Sequence, residues 1–204
     1  MTENIDWTEV ESRINQYFTD RVRTHGMTVR ALDWGSEASQ VKRFEIISKF
    51  IEDTSFSLLD VGCGFGQLAD YLQMEGRSVE YVGVDLTTET IALARKRRPD
   101  LDFRVGSIIN NRKIGKYDYV VASGIFYKLG SDAYPLMGKL INSMFAIVRK
   151  KLIFNSLSSW AADSIGDEFR SDPVMILQLC TKLSKNIALR HDYLTNDYTI
   201  AIGR

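Results

Sequence analysis

The sequence has only two cysteines, three prolines and two histidines among 204 residues, and its formal charge is zero. Each scarcity excludes something. Cys63 and Cys180 lie far apart and in different expected elements, which reads as two reduced thiols in a cytoplasmic protein, not a disulfide framework. Two cysteines and two histidines without ligand spacing leave no metal site. Lys plus Arg and Asp plus Glu each number 26, whereas a nucleic-acid binder carries a basic surplus, so nucleic-acid partners are set aside. No apolar run approaches a membrane span, and Met1-Thr-Glu-Asn-Ile-Asp6 is too polar and acidic for a secretory leader. Repeats, low-complexity tracts and linkers are also missing. With 45% apolar residues, the expectation is one domain over 1–204 with a full core.

What the chain does have is a strand that breaks into glycines. Phe56-Ser-Leu-Leu-Asp-Val-Gly-Cys-Gly-Phe-Gly66 is an apolar run of strand length, then glycine at 62, 64 and 66. Such a turn feeding a helix builds a backbone cradle, because glycine admits close approach and the helix N-terminus offers unpaired N–H groups. Tyr81-Val-Gly-Val-Asp-Leu86 is a second short strand that ends in an acid, Asp85. In nucleotide-binding α/β folds an acid there takes ribose hydroxyls.

Patterning supplies the other elements. Thr8-x-x-Glu11 reads as a capping box for a helix to about residue 24, and Ser36 to Ile51 as a second helix burying Val41, Phe44, Ile47 and Ile51. Helices are expected over Gln67–Glu75, from the Thr87-Thr88 cap to about Arg98, from Ser131 to about Arg149, and from Asp172-Pro173 to Leu183. Strands are expected at Leu101–Val105, Tyr117–Ala122 and Leu152–Asn155, with Ile187–Tyr193 and Tyr198–Ile202 as a closing antiparallel hairpin. The alternation implies an α/β fold with a parallel sheet and helices on both faces.

Leu59-Asp-Val-Gly-Cys-Gly-Phe-Gly66 resembles the first motif of class I S-adenosylmethionine (SAM)-dependent methyltransferases, and Gly83-Val-Asp85 resembles their second. The spacing is G-x-G-x-G, not the G-x-G-x-x-G of NAD and FAD folds, and an acid stands two positions before the first glycine. The resemblance implies a Rossmann-like seven-stranded methyltransferase sheet (56–204) with a C-terminal antiparallel hairpin, under an N-terminal helical lid (1–55). It implies SAM as cofactor, cradled by Gly62, Gly64 and Gly66, with Asp60 at its amino end, Asp85 on the ribose and Leu86 beside the adenine. Where the family often has an acid after the third strand this chain has Val105-Gly-Ser-Ile108, so Ser107 and Ile108 take over the adenine contact. Ser123 and Gly124 approach the methionine moiety, with Phe126 or Tyr127 near the sulfonium, unless those aromatics serve only packing. Trp34…Gln40-x-x-Arg43-Phe44 is similar to the helix preceding the motif in some small-molecule O-methyltransferases, where the arginine meets the cofactor carboxylate. A solvated surface arginine is the other reading, and Trp34 is either packing or a substrate wall.

For the reaction, His191 and His25 are the candidate general bases, since only their ordinary pKa lies near neutrality, with Tyr127 a further catalytic candidate. Asn155 is a candidate for orienting an acceptor, and the loop from Ser156 to Arg170, with Trp160, for closing over it. The expected activity moves a methyl group to an oxygen, in preference to a nitrogen, of a small polar molecule. A further similarity to small methyltransferases encoded with surface-polysaccharide or natural-product genes points toward a sugar-linked acceptor. Two readings compete. A non-catalytic SAM-binding protein is opposed by motifs that are intact. An NAD-dependent oxidoreductase is opposed by the glycine spacing, the hairpin and the lack of a substrate domain.

Overall fold

The computed structural model describes residues 7–109, 114–161 and 168–204. Two sequence readings therefore lie outside the described residues: the Met1–Asp6 stretch, and positions 162–167 of the loop expected to close over an acceptor. Helix α1 spans Trp7–His25 and α2 Glu37–Ser48, followed by β1 (Ser55–Val61), α3 (Gln67–Met74), β2 (Ser78–Asp85), α4 (Thr88–Arg97) and β3 (Asp102–Val105). Then come β4 (Tyr117–Ala122), α5 (Ala133–Ile147), β5 (Val148–Leu157), α6 (Pro173–Cys180), β6 (Ile187–Leu194) and β7 (Asp197–Gly203).

The strands form one seven-stranded sheet in the order β3-β2-β1-β4-β5-β7-β6. Neighbours from β3 to β5 pair in parallel, while β7 runs antiparallel to both β5 and β6. This is the expected sheet with its closing hairpin. Side chains alternate across a strand, so each strand feeds two cores. Leu59, Val61, Val84, Val120, Leu152, Phe154 and Ile200 pack on one face with α5 and α6. Phe56, Leu58, Tyr119, Val121 and Ile153 pack on the other, against Phe44 and Ile47 of α2, Leu68 and Leu72 of α3, and Ile91 of α4.

Several local expectations are corrected. Thr8 lies inside α1 instead of capping it, and the Glu11 carboxylate accepts from the Trp7 indole. On α2, Val41 points outward at 48% exposure, and the buried polar side chains are Gln40, Arg43 and Ser48. The helix stops at Ser48 because the last turn tightens, with Phe50 N–H donating to the Ile47 carbonyl three residues back. Helix α5 ends at Ile147 and passes directly into β5, which takes in Val148 to Lys151 and reaches ten residues. Thr87 precedes α4 without a side-chain cap bond. Asp172 does cap α6, its Oδ1 accepting from Val174 N at 2.7 Å with Pro173 at the first helical position.

Candidate functional site

Strand order reverses between β1 and β4, and open α/β sheets bind ligands beyond the carboxyl ends of the strands at such a point. A cleft opens there with about 1070 Å³ of space, its mouth included. Asp60, Gly62, Gly64, Asp85, Leu86, Ser107, Ile108, Ser123, Gly124 and Tyr127 all line it. Ten of the sequence-derived site residues are thus brought to one place.

The glycine turn is shaped by both backbone and neighbours. Gly64 has φ +55°, and a Cβ built on it would lie 2.7 Å from Leu32 Cδ1. Gly66, outside the cleft, begins α3 at φ +82°, where a Cβ would meet Phe103 Cζ at 2.6 Å. Packing against Phe103 and the entry into α3 both call for glycine here.

Two carboxylates flank this turn. The half-buried Asp85 accepts from Gly64 N (3.1 Å) through Oδ2 and from Thr87 N (3.0 Å) through Oδ1. Burial raises its pKa although both N–H groups hold it down. Each oxygen keeps a lone pair for a further donor. Asp60 is buried and accepts from Tyr81 Oη at 2.7 Å. Burial pushes its carboxyl up to about 7; the tyrosine bond opposes the rise and the charge of Asp85 adds to it. Cys63, also buried, has its thiol pushed well up, first by burial and then by these two acids, so it is no nucleophile. On the β4 side, Asn155 Oδ1 accepts from Gly124 N (2.8 Å) and its Nδ2 donates to Ser123 Oγ (3.0 Å). The asparagine therefore fixes the loop after β4.

The N-terminal segment lies over this floor. Trp7, Ile14 and Phe18 of α1 line the cleft with Leu32 and Trp34, and Trp34 Cη2 lies 3.0 Å from where a Cβ of Gly124 would stand. Polar straps hold α1 down. Trp7 Nε1 donates to Ser107 Oγ (3.0 Å), and Arg13 Nη2 donates to the Lys128 and Leu129 carbonyls (3.2 and 3.1 Å). The third strap was not legible in the sequence. Asp33, a non-glycine residue at φ +59°, accepts from Tyr17 (2.7 Å) and Tyr127 (3.0 Å) and pairs with Arg21 at 2.9 Å. Burial, then the charge of Asp33, holds the Tyr127 phenol far above its ordinary pKa, so it is a neutral group. Phe126 is core, edge-on to Phe154 at 5.6 Å.

Three residues expected at the site stand elsewhere. His25 is exposed at the end of α1 and lines no part of the cleft. His191 lies on β6, bonded through Nε2 to Ser158 Oγ (2.7 Å) and stacked between Trp160 and Tyr198 at 5.1 and 6.3 Å, also away from the cleft. Arg43 is neither solvated nor free to fork onto a ligand. Its Nε donates to Asp197 Oδ1 at 3.0 Å, its Nη2 pairs with Oδ2, and its guanidinium lies 4.7 Å from the Trp34 ring. Gln40, one turn earlier on α2, does line the cleft. Among the described residues no group of histidine, cysteine and acidic side chains could hold a metal ion, and no helix is long and apolar enough to cross a membrane.

A cradle with paired acids, main-chain N–H groups and glycines fits an adenosyl cofactor, and the relatives agree. The family model of a methyltransferase domain matches residues 52–197. A Mycobacterium tuberculosis protein named as a methyltransferase is 33% identical over 159 residues, covering 73% of this chain and 93% of its own length. Among solved structures, the complex of DhpI with S-adenosylhomocysteine (SAH) superposes with TM-score 0.70 at 14% identity, covering 96% of each chain. Magnesium protoporphyrin IX methyltransferase from Synechocystis PCC 6803, with bound SAH, gives TM-score 0.67 at 14% identity over 96% of this chain and 99% of its own. At such identities the likeness is one of fold.

Proposed function

Because this chain belongs to the class I SAM-dependent methyltransferases, we propose that its cleft transfers a methyl group to an oxygen, in preference to a nitrogen, of a small polar acceptor in the cytoplasm. The observation that carries this reading is the gathering of the glycine turn, Asp60, Asp85 and the loop after β4 around one cleft. When bound, SAM supplies an electrophilic methyl group. Asp85, at the tip of β2, is placed to accept from ribose hydroxyls with the oxygen capacity its backbone partners leave. Asp60 faces the amino end, where a neighbouring ammonium favours its ionised form over the neutral one that burial favours. Leu86, Ser107 and Ile108 border the adenine, and Ser123 and Gly124 the methionine moiety. A bound pair held in reacting geometry accounts for about 7–11 kcal/mol of barrier reduction through proximity alone.

Among the described cleft-lining residues there is no histidine, and Tyr127 is a neutral phenol held by Asp33. The chemistry therefore suits an acceptor oxygen that arrives ionised or that loses its proton to solvent. The test is conversion of SAM to SAH against a panel of small acids, alcohols and amines, with calorimetry of SAH and NAD alongside. Tight SAH binding with turnover for an oxygen acceptor is expected. NAD binding without SAH binding, or SAH binding with no turnover across the panel, would overturn it.

A further inference from the structure

Among the described residues, three guanidinium nitrogens are buried without a hydrogen-bond partner: Nη1 of Arg43, which stands behind Trp34 of the cleft wall, and Nε and Nη1 of Arg170. Native structures leave few buried donors unpaired, because each one keeps the cost of its lost water unreturned. Two arginines with such donors bear on one place. The Arg43 fork holds Asp197, and Arg170 and His191 also act electrostatically on that carboxylate. Arg170 has only a long contact of its own, Nη2 to Glu168 at 3.4 Å. Both arginine side chains are nearly closed to solvent, at 8% and 11% exposure. The hydroxyls and the histidine along β5, β6 and β7 bond among themselves. Ser156 bonds to Ser171, Ser171 to Tyr198, His191 to Ser158, and Tyr193 to Thr199. Two guanidiniums thus meet two carboxylates, Asp197 and Glu168, and still leave three buried donors without an acceptor.

We propose that the methyl acceptor carries an oxyanion, a carboxylate or a phosphate-type group, which this pair of arginines receives next to the methyl-transfer end of the cleft. The placement follows from Trp34. Its indole lines the cleft, reaches over Gly124 and is in cation–π contact with Arg43, so that guanidinium stands directly behind one wall of the cleft. A guanidinium edge suits the planar geometry of an oxyanion. An ionised acceptor also answers the lack of a histidine on the cleft wall. The assignment rests on the methyltransferase reading, and the experiment keeps the two apart.

Protein saturated with SAH is titrated with sodium phosphate, with sodium acetate, and with sodium chloride at matched ionic strength. Melting temperature and tryptophan fluorescence are followed, the latter because Trp34 touches Arg43. Phosphate or acetate should stabilise the complex and change the fluorescence, and chloride should do neither. Arg170→Gln should weaken that response about tenfold or more, since a charge-assisted bond is lost, and Arg170→Lys should restore part of it. Glu168→Gln should strengthen it by removing a competing carboxylate, which provides a variant of opposite sign should Arg170→Gln fold poorly. SAH affinity should be unchanged in all three. A response equal to that of chloride, or unaltered by both the Arg170 and Glu168 variants, refutes the site. Failure of SAH to bind refutes the methyltransferase reading instead, and the same anion titrations without SAH then decide the site alone.

Discussion

Removing Asp197 should damage this protein more than removing most of its core side chains. The Asp197 side chain is 2% exposed and that of Arg43 8%, and two of the three guanidinium nitrogens are committed to this carboxylate. Asp197→Ala would leave a buried cation with no counter-charge beside two more electropositive neighbours. Breaking a buried pair from one side costs about 3–5 kcal/mol. For a domain of this size each kcal/mol moves the melting temperature by about 2–4 °C, so a fall of roughly 6–20 °C is expected. Replacing both partners should behave differently. Arg43→Met with Asp197→Leu removes both desolvation penalties and fills the space, so the double variant should recover most of the loss. Urea unfolding of the four proteins closes the cycle, and the coupling between the two sites should exceed about 2 kcal/mol. A fall below about 1 kcal/mol for Asp197→Ala, or a double variant as unstable as the two singles added together, would show that the pair is not what holds α2 to the end of the sheet.

Three further outcomes follow from the cleft. Asp85→Ala should weaken SAM binding by about 1–3 kcal/mol, because hydrogen bonds to a charged group are lost; unchanged affinity by calorimetry in a folded variant would remove Asp85 from the site. Gly64→Val should abolish cofactor binding and loosen Leu32 from the turn, given φ +55° and only 2.7 Å of clearance; normal SAH affinity would refute the cradle. Asp60 titrates near its ordinary 3.8 when unfolded and near 7 when folded. Between those values the folded protein keeps a proton that the unfolded chain releases, so the ligand-free protein should lose stability as pH rises from about 4 to 7. Relative to Asp60→Asn that loss approaches about 4 kcal/mol, and a stability difference between the two proteins that stays flat over this range would contradict the burial argument.

The parts of the site that the sequence displayed are those built from contiguous residues. The glycine turn and the acid closing β2 each fit within a few positions, where strand periodicity and turn chemistry leave few alternatives. Arg43 shows the limit of that reasoning. Its partner lies 154 positions away, and nothing in the local pattern distinguishes a guanidinium aimed at a ligand from one aimed at a carboxylate arriving with the last strand. Val41 was assigned inward on helical spacing, yet α2 turns Arg43 inward because Asp197 at the start of β7 awaits it there. Asp33 gave no signal because its role depends on a backbone angle and on phenols from two distant segments. The start of β5 was hidden by Arg149-Lys150-Lys151, since the helix was read to about Arg149 and the strand only from Leu152. Those side chains are exposed or pair with acids at the end of the sheet while their backbone extends the strand.

The position of β7 also dictates the order in which the sheet can be completed. It is the last strand to be made, yet it lies inside the sheet with β5 on one side and β6 on the other. As the chain emerges from its N-terminus, β5 must wait with one edge open, showing Leu152 and Phe154 on one side and Ile153 on the other, until residues 197–203 arrive. An unpaired apolar edge is the feature through which nascent chains join one another. β6 cannot shield it, because its described partner is β7 itself. A nascent chain that has not yet released residues 197–203 should therefore hold a nearly complete cofactor cradle and a sheet still open to aggregation.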